Sequence, residues 1–327
     1  MIVVTGGAGF IGSNLVARLV DEGHHVSIND TLGPGEKWRN LARHPFDELI
    51  PPGGLPDFLA RRGHEVQLVY HLGAITSTTE TDRGLLTETN IRLSQRIWRW
   101  CTDHQVPLVY ASSAATYGDG SSGFVDADSA EALARLHPLN DYAWSKHEFD
   151  RWAVHEVDRG AGAPPVWYGL KLFNVYGPNE YHKGDMQSVV AKAYPYAARG
   201  EPATLFRSHR PDYEDGGQKR DFVHVSDCVD VMTWLAERRP PSGLYNVGTG
   251  RAQSWLELMR ALYGAAGQEP RIDWIDIPED LRDRYQYFTE ADMTKLRAAG
   301  YERSFLPVED GVRDYVERYL AAEDPYR

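Results

Sequence analysis

A tyrosine and a lysine four residues apart are the side chains in this sequence best suited to move a proton. Tyr142 and Lys146 belong to the run Tyr-Ala-Trp-Ser-Lys, and a spacing of four places both on one face of a helix. An ammonium group beside a phenol stabilises the phenolate and lowers a pKa that is normally about 10. The pair therefore predicts a general acid/base at Tyr142, with Lys146 placed to tune it.

Two consecutive serines offer a further polar group for the same chemistry. Ser112 and Ser113 follow the apolar run of a predicted buried strand. Ligands of open α/β sheets bind at the carboxyl ends of the strands, so we expect Ser113 to hydrogen-bond a substrate carbonyl or alcohol. A helix cap is the alternative role for these serines, and it fits Ser112 better.

The run Thr-Gly-Gly-Ala-Gly-Phe-Ile-Gly, residues 5–12, predicts a dinucleotide-binding turn. It follows a predicted strand and precedes a predicted helix, which is the context that this fingerprint requires. Gly6 permits the tight turn, Gly9 lets the backbone approach a pyrophosphate, and Gly12 lets helix and strand pack closely. The alternative, a glycine-rich turn without a ligand, is disfavoured by the position directly after the first strand.

Two charged residues bear on which dinucleotide would bind. Asp30 ends the second predicted strand, about 20 residues further on, where an acid holds the adenosine ribose of NAD. Lys37 follows and would suit the 2′-phosphate of NADP, although a solvated loop lysine is the alternative for it. The choice between NAD and NADP therefore stays open at this point.

Short apolar runs alternate with amphipathic stretches, which predicts a parallel sheet with helices on both faces. We therefore expect an α/β fold, a Rossmann-type doubly wound parallel sheet with a smaller C-terminal substrate domain. The expected division is 1–175 for the first domain, with later returns at about 220–250, and 176–327 for the second.

Arg199 to Lys219 is polar and is predicted to be irregular. The other predicted elements are strands at Ile2 to Thr5, His25 to Asn29, Val66 to His71, Val106 to Ser112 and Val166 to Phe173, and helices at Ser13 to Asp21, Thr89 to Asp103 and Tyr142 to Val157.

Charge and composition exclude several classes of protein. The 327 residues include 35 Lys plus Arg against 47 Asp plus Glu, a formal net charge of −12. Such an acidic chain is a poor ligand for nucleic acid or an anionic membrane surface. Two cysteines are too few for a disulfide framework, and no metal-ligand spacing is present. The expectation is a cytoplasmic enzyme with a small-molecule substrate.

These motifs together resemble the extended short-chain dehydrogenase/reductase superfamily over essentially the whole chain. Further matching runs are His71-Leu72-Gly73-Ala74, Phe173-Asn174-Val175-Tyr176-Gly177-Pro178 and Arg220-Asp221-Phe222-Val223-His224. The resemblance implies a dinucleotide-binding domain followed by a smaller domain that binds a nucleotide-sugar. Lys171 departs from the pattern, because an arginine is common at its position, and the segment Arg207 to Lys219 is longer than in short-looped members.

A narrower resemblance is to the ADP-L-glycero-D-manno-heptose 6-epimerase family. It is carried by Ser77-Thr78-Thr79-Glu80, His182-Lys183-Gly184, Arg284-Tyr285-Gln286 and Leu296-Arg297-Ala298-Ala299-Gly300-Tyr301, of which the His-Lys-Gly run is the most diagnostic. The resemblance implies that Lys183 is a second catalytic acid/base alongside Tyr142, where the sequence alone would indicate a surface lysine.

The resemblance also implies the remaining site residues. The cofactor, one tightly bound NADP per subunit with NAD as the alternative, would contact Gly6, Gly9, Phe10, Ile11, Gly12, Asp30, Thr31, Lys37, Leu72, Gly73, Ala74, Ile75, Thr76, Lys146, Val175 and Lys183. The substrate would contact Ser113, Asn174, Asp185, Lys192, Phe206, Arg207, Ser208, His209, Arg220 and Tyr285. Arg220 suits a diphosphate, because its planar donors match phosphate oxygens; a surface ion pair with Asp221 is the alternative.

The implied reaction is inversion at C6″ of ADP-D-glycero-D-manno-heptose through a transient 6″-ketone, in a homo-oligomer of the lipopolysaccharide pathway. A UDP-hexose C4 epimerase is an alternative, and it would not need Lys183. A 4,6-dehydratase is another, but an Asp-Glu pair expected after the catalytic hydroxyl is replaced here by Ala114-Ala115-Thr116. A non-catalytic NAD(P)-sensing protein would typically lack Tyr142 or Lys146, and both are present.

Overall fold

A seven-stranded parallel sheet forms the centre of the protein in this computed structural model, which describes residues 1–282 and 285–327. The strand order is β10-β6-β5-β4-β1-β2-β3, and every neighbouring pair is parallel. The strands of this sheet are β1 (Ile2–Thr5), β2 (Val26–Asn29), β3 (Glu48–Ile50), β4 (Leu68–His71), β5 (Leu108–Ser113), β6 (Trp167–Leu172) and β10 (Gly243–Val247). The predicted doubly wound α/β fold is thus confirmed.

Two smaller sheets complete the strands. One is three-stranded, in the order β11-β9-β7, and the other pairs β12 with β8. They consist of β7 (Asn174–Tyr176), β8 (Ala203–Phe206), β9 (Lys219–His224), β11 (Ala252–Ser254) and β12 (Ile272–Ile275). The strand β8 corrects the expectation that Arg199 to Lys219 is irregular throughout: Ala203 and Leu205 are buried, and the strand pairs in parallel with β12.

Twelve α-helices surround the sheets in the part of the chain that the structure describes. They are α1 (Phe10–Asp21), α2 (Leu55–Arg62), α3 (Arg83–Leu86), α4 (Leu93–Asp103), α5 (Ala130–Ala134), α6 (Asp141–Asp158), α7 (Val189–Ala198), α8 (Val225–Arg238), α9 (Trp255–Ala265), α10 (Glu279–Arg282), α11 (Thr294–Ala298) and α12 (Val308–Tyr315). Short 3₁₀ segments lie at Glu36–Leu41, Pro52–Gly54, Gly63–Glu65, Ala114–Tyr117 and Tyr181–Met186, and π-helical turns at Thr87–Arg92 and Val316–Leu320. No helix among the described residues has the length and apolar character needed to cross a membrane.

Three apolar cores hold these layers together. One face of the large sheet packs against α1 and α8, with Leu15 and Met232 fully buried there. The other face packs against α2, α4 and α6 around Trp98. A third core lies among α7, α9 and α12 and includes Leu262 and Val312. The third core consists of later residues, but the division of the chain near residue 175 stays a prediction.

Candidate active site

The glycine-rich turn between β1 and α1 is too tightly packed for side chains. Gly6 has φ +70°, and a Cβ there would lie 2.5 Å from the backbone nitrogen of Gly73. A Cβ on Gly12 would lie 2.1 Å from the carbonyl oxygen of Gly6. No side chain caps α1 at Gly9, so the first backbone N–H groups of the helix are open to an anion.

Asp30 and Lys37 form an ion pair beside this turn. The Asp30 carboxylate lies 2.6 Å from the Lys37 amine and accepts a 2.9 Å hydrogen bond from the backbone N–H of Ala8. The Lys37 amine also donates to the carbonyl oxygen of Thr31 at 2.9 Å. Only 20% of the Lys37 side chain is exposed, so it is not the solvated loop lysine that the sequence left as an alternative. A cation therefore stands next to the carboxylate that would meet an adenosine ribose.

The turn after β4 lies opposite the glycine-rich turn, and a chain of hydrogen bonds holds it there. The backbone N–H of Gly73 donates to the Thr5 hydroxyl at 3.2 Å. The Thr5 hydroxyl lies 2.7 Å from Nδ1 of His71, and Nε2 of His71 lies 2.8 Å from the Ser94 hydroxyl. Ser94 in turn donates to the carbonyl oxygen of Asn90. Burial lowers the pKa of His71 to about 3, so this ring is neutral and links the two turns.

Tyr142 and Lys146 lie on α6, which begins after Asn140. The Asn140 side chain accepts from the backbone N–H of Ala143 and caps the helix. The Lys146 amine donates to the carbonyl oxygen of Ala111 at 2.8 Å, and this bond fixes the helix against the end of β5. Burial lowers the pKa of Lys146 to about 8, and the Asp150 charge opposes that change.

The pKa of Tyr142 is raised, which corrects the direction expected from the sequence. Burial disfavours the phenolate, the Ser113 hydroxyl acts in the opposite direction, and the Asp150 charge raises the pKa further. Spacing alone predicted a dominant effect of Lys146. The structure instead places both groups in a site where desolvation acts on each of them first.

Ser113 ends β5 and begins the 3₁₀ turn that follows. Its hydroxyl accepts from the backbone N–H of Ala115 at 3.1 Å, so the capping serine is Ser113 and not Ser112. The Ser112 hydroxyl instead donates to the Asp150 carboxylate at 2.6 Å. Because Ser113 is half-buried, its hydroxyl can still meet a ligand.

Sequence reasoning missed a buried charge pair directly behind these groups. Asp150 and Lys171 are both fully buried, and the Lys171 amine lies 3.0 Å from the Asp150 carboxylate. Thr116 accepts from the same amine at 2.7 Å, and the Tyr110 hydroxyl donates to Asp150 at 3.1 Å. The unusual lysine at 171 therefore has a partner, and no spacing in the sequence indicates the pair, because its members lie on β6 and α6.

Lys183 enters the site from the 3₁₀ segment Tyr181–Met186. Its amine lies 5.3 Å from the centre of the Phe10 ring, at the start of α1. Burial lowers the pKa of Lys183, and the charge of Glu180 opposes that effect. The lysine is half-buried and is not the surface lysine that sequence alone would indicate.

One cavity of about 550 Å³ brings most of the predicted residues together. This is within the size range of small-molecule sites. The predicted residues that line it are Gly6, Gly9, Phe10, Ile11, Gly12, Asp30, Lys37, Leu72, Gly73, Ala74, Thr76, Ser113, Tyr142, Lys146, Asn174, Val175 and Lys183. Among the described residues, the lining does not include Thr31, Ile75, Asp185, Lys192, Phe206, Arg207, Ser208, His209, Arg220 or Tyr285. Trp255, Phe222 and Leu258 do line it, and sequence reasoning assigned them no role.

Six of the residues outside the lining, Asp185, Lys192 and residues 206–209, fall into two groups. Asp185 and Lys192 meet each other, since the Lys192 amine donates to the Asp185 carbonyl oxygen at 3.2 Å. The segment after β8 folds onto Tyr287, whose hydroxyl accepts from the backbone N–H of His209 at 3.0 Å. The exposed Arg207 lies 3.6 Å from Asp276. Arg284 lies outside the described residues.

Arg220 is a buried guanidinium held by carbonyl groups and aromatic rings. It donates to the carbonyl oxygens of Lys219 and Gln286, and its Cζ lies 5.5 Å from the Tyr285 ring centre and 5.9 Å from that of Trp255. Asp221 does not pair with it, because that carboxylate accepts from Thr249, Gly250 and Ala291. In the described part of the chain no carboxylate lies within 4 Å of Arg220. A buried cation of this kind is suited to an anionic ligand.

Comparison with known proteins agrees with this geometry. The chain matches the NAD dependent epimerase/dehydratase family over residues 2–248. It is 47% identical over 336 residues to the ADP-L-glycero-D-manno-heptose-6-epimerase of Nitratidesulfovibrio vulgaris strain Hildenborough. It is 42% identical over 335 residues to the ADP-L-glycero-D-manno-heptose-6-epimerase of Fusobacterium nucleatum subsp. nucleatum. Both alignments cover 100% of this chain and 100% of the relative. The crystal structure of Helicobacter pylori ADP-L-glycero-D-manno-heptose-6-epimerase superposes with a TM-score of 0.75 at 27% identity, covering 97% of this chain and 95% of that one.

The glycine-rich turn, the Tyr142–Lys146 helix and these full-length relatives lead to one assignment. The chain belongs to the NAD dependent epimerase/dehydratase family.

Proposed function

We propose that this protein inverts the configuration at C6″ of ADP-D-glycero-D-manno-heptose and yields the L-glycero epimer. The observation that carries the proposal is that Tyr142 and Lys183, which come from separate elements, line one cavity together with the glycine-rich turn. The full-length relatives named as ADP-L-glycero-D-manno-heptose-6-epimerases support the choice of substrate.

Inversion at one carbon demands acid/base groups in two places. The secondary alcohol loses its hydroxyl proton and a hydride to become a ketone; the hydride then returns to the opposite face of the carbonyl carbon, and a proton returns to the oxygen. The oxygen thus takes two orientations, and one side chain cannot reach both equally well. We assign Tyr142 to one orientation and Lys183 to the other, while Ser113 donates a hydrogen bond that polarises and positions the oxygen.

The residues around the glycine-rich turn fit a nicotinamide dinucleotide. Gly6 and Gly12 leave no room for a Cβ, and the uncapped start of α1 is suited to a pyrophosphate. When bound, such a cofactor supplies the reversible acceptance of the hydride. Lys146 would hold its nicotinamide ribose, and Asp30 its adenosine ribose.

Arg220 supports a diphosphate-linked substrate. It is 7% exposed, and its donors face two carbonyl oxygens and two aromatic rings rather than a carboxylate. Burial lowers the pKa of this guanidinium, which indicates a cation that gains from an anionic partner. A diphosphate oxygen pair matches the guanidinium fork.

We further propose that the cofactor is NADP. The support is the Lys37 amine, 2.6 Å from the Asp30 carboxylate, because a cation there would balance a 2′-phosphate.

The protein purified without added cofactor should release NADP on denaturation, as measured by chromatography. Lys37→Ala should weaken NADP binding at least tenfold relative to NAD, whereas Lys295→Ala, which removes a partly exposed ion pair with Asp128, should leave the ratio unchanged. Release of NAD alone would contradict this choice.

The reaction itself is tested by proton NMR of the protein mixed with ADP-D-glycero-D-manno-heptose and no added cofactor. Appearance of the 6″ epimer is the expected result. An unchanged spectrum even with NADP and NAD supplied would contradict the assignment.

Lys183→Met should abolish turnover of the heptose substrate. A UDP-hexose C4 epimerase would not require Lys183, so this variant separates the two reactions.

A further inference from the structure

The segment that carries Lys183 has little regular structure of its own. Tyr181–Met186 is a 3₁₀ segment interrupted at Gly184, where φ is +53° and ψ is −124°. At its two ends, the N–H of Lys183 donates to the carbonyl oxygen of Glu180, and that of Gln187 to Gly184. Side-chain contacts add to these bonds in fixing the segment that carries the Lys183 amine.

Glu180 supplies those contacts from one end of the segment to the other. Its carboxylate accepts from both the backbone N–H and the hydroxyl of Ser188, the latter at 2.7 Å. Ser188 is also the N-cap of α7. The Tyr315 hydroxyl on α12 donates to the same carboxylate at 3.2 Å, and the backbone N–H of Gly177 at 3.4 Å. One carboxylate thus fastens β7, the Lys183 segment, α7 and α12.

This carboxylate is costly to bury. Glu180 is 0% exposed, and no Lys, Arg or His nitrogen in the described part of the chain lies within 4 Å of it. Burying a carboxylate without a direct ion pair is unfavourable, because hydrogen bonds replace its hydration only in part. Hydroxyl and backbone N–H donors satisfy both of its oxygens, and a neutral amide would turn its NH2 group toward one of these donors.

The charge of Glu180 acts on Lys183. Burial disfavours the protonated form of the Lys183 amine, and Glu180 is the group that counters this effect. Conversely, burial raises the pKa of Glu180, and Lys183 is among the groups that oppose the rise. The other titratable neighbours are His182 with Lys37 on the cofactor side, and Tyr181 and Tyr315 around the carboxylate. Asp30 also faces His182 and is negative at neutral pH, but it is paired with the Lys37 amine at 2.6 Å.

We propose that Glu180 is a positioning residue for Lys183: it closes the segment that places the Lys183 amine over Phe10 and supplies the negative charge that keeps this half-buried amine protonated. The inference rests on the proposed role of Lys183 as the second acid/base. A group in that role must hold and release a proton near the working pH, and an amine desolvated without a counter-charge would lose its proton too early.

Direct titration of the lysine amines tests this inference without relying on turnover. The chain has only seven lysines, so side-chain NMR of ¹³C-labelled lysine can follow each one, with Lys183→Met assigning the signal. Glu180→Gln should lower the pKa of Lys183, because it removes the negative charge that opposes the effect of burial on this amine. It should also shift the pH profile of kcat in the same direction.

Two further variants separate charge from shape. Tyr315→Phe removes one hydrogen bond from Glu180 and keeps the charge, so Lys183 should titrate as in the wild type. Glu180→Asp keeps the charge but withdraws the carboxylate from Ser188, so we expect a near-native Lys183 pKa and a lower kcat. If Glu180→Gln does not fold, an Asp variant with native turnover would overturn the proposal.

The outcomes also distinguish this inference from the proposed function. A folded Glu180→Gln protein in which Lys183 titrates as in the wild type would overturn the role of Glu180, whatever the turnover. A Lys183→Met protein that still epimerises the heptose would refute Lys183 as an acid/base. The effect of Glu180 on the pKa of Lys183 is measured separately, in proteins that keep the lysine.

Discussion

At the scale of single residues, the site is governed by desolvation more than by neighbouring charge. Burial raises the pKa of Tyr142 and lowers that of Lys146 to about 8, so both groups are pushed toward their neutral forms. Their pKa values therefore move apart, because that of the phenol rises from about 10 while that of the amine falls from about 10.5. The spacing of four predicted that the two side chains share a face. It could not predict how deeply α6 would bury them.

Replacing Tyr142 by Phe tests the acid/base assignment. The change removes only the phenolic hydroxyl, so kcat should fall about 10²- to 10⁴-fold, the range that a general acid/base contributes. Conversion is measured by NMR, and retained cofactor by absorbance of the purified protein. Tyr196→Phe is the matched control, because Tyr196 is 47% exposed. Wild-type turnover in the Tyr142 variant would end this assignment.

At the scale of elements, the turns between strands and helices were the most predictable part of the site. The motif at residues 5–12 predicted both the turn and a dinucleotide as its ligand. Its three glycines are needed because the backbone segments there pack more closely than side chains would permit. The Asp150–Lys171 pair could not be predicted, since its members come from α6 and β6 and meet only after the sheet is assembled. The strand β8 was missed for a similar reason: its partner β12 lies far along the sequence.

Gly12 gives the sharpest test at this scale. An added Cβ would lie 2.1 Å from the carbonyl oxygen of Gly6, so Gly12→Ala must displace the turn. We expect loss of bound cofactor and at least a 100-fold weaker affinity for NADP by calorimetry. Gly264→Ala, in the last turn of α9 with nothing within 4 Å of the new Cβ, should instead leave this affinity unchanged and add about 0.4–1 kcal/mol to the free energy of unfolding. Equal affinity in the Gly12 variant would contradict the role of the turn.

At the scale of the whole molecule, the sequence predicted the fold class but not the small sheets that cover the site. Lys183 and Tyr315 are separated by more than a hundred residues, yet Glu180 joins their elements. The predicted homo-oligomer belongs to this scale too, and it stays a prediction, as does the division of the chain into two domains.

The stability of the molecule should depend on pH through His71. Its folded pKa of about 3 lies below the unfolded value of about 6.5. The contribution of neutral His71 to the free energy of unfolding is therefore complete above pH 6.5 and is lost as the pH falls toward 3. Between pH 7 and pH 5 the wild type should lose about 2 kcal/mol more unfolding free energy than His71→Gln. Denaturant unfolding at the two pH values measures this difference, and equal losses in both proteins would refute it. The comparison of variants is needed because His224 acts in the same direction and Asp227, with a raised pKa, in the opposite one.

The strand order of the large sheet also has a consequence for synthesis on the ribosome. The strands that carry the glycine-rich turn, Asp30 and Ser113 all precede residue 114, whereas the edge strand β10 begins at Gly243 and Tyr315 follows much later. A growing chain emerges from its amino end, so the part of the dinucleotide pocket that precedes residue 114 can form before Tyr315, which bonds Glu180, has been made. We expect a nascent chain to acquire its cofactor before it can hold its second acid/base in place, which would make the cofactor a template for the final step of assembly.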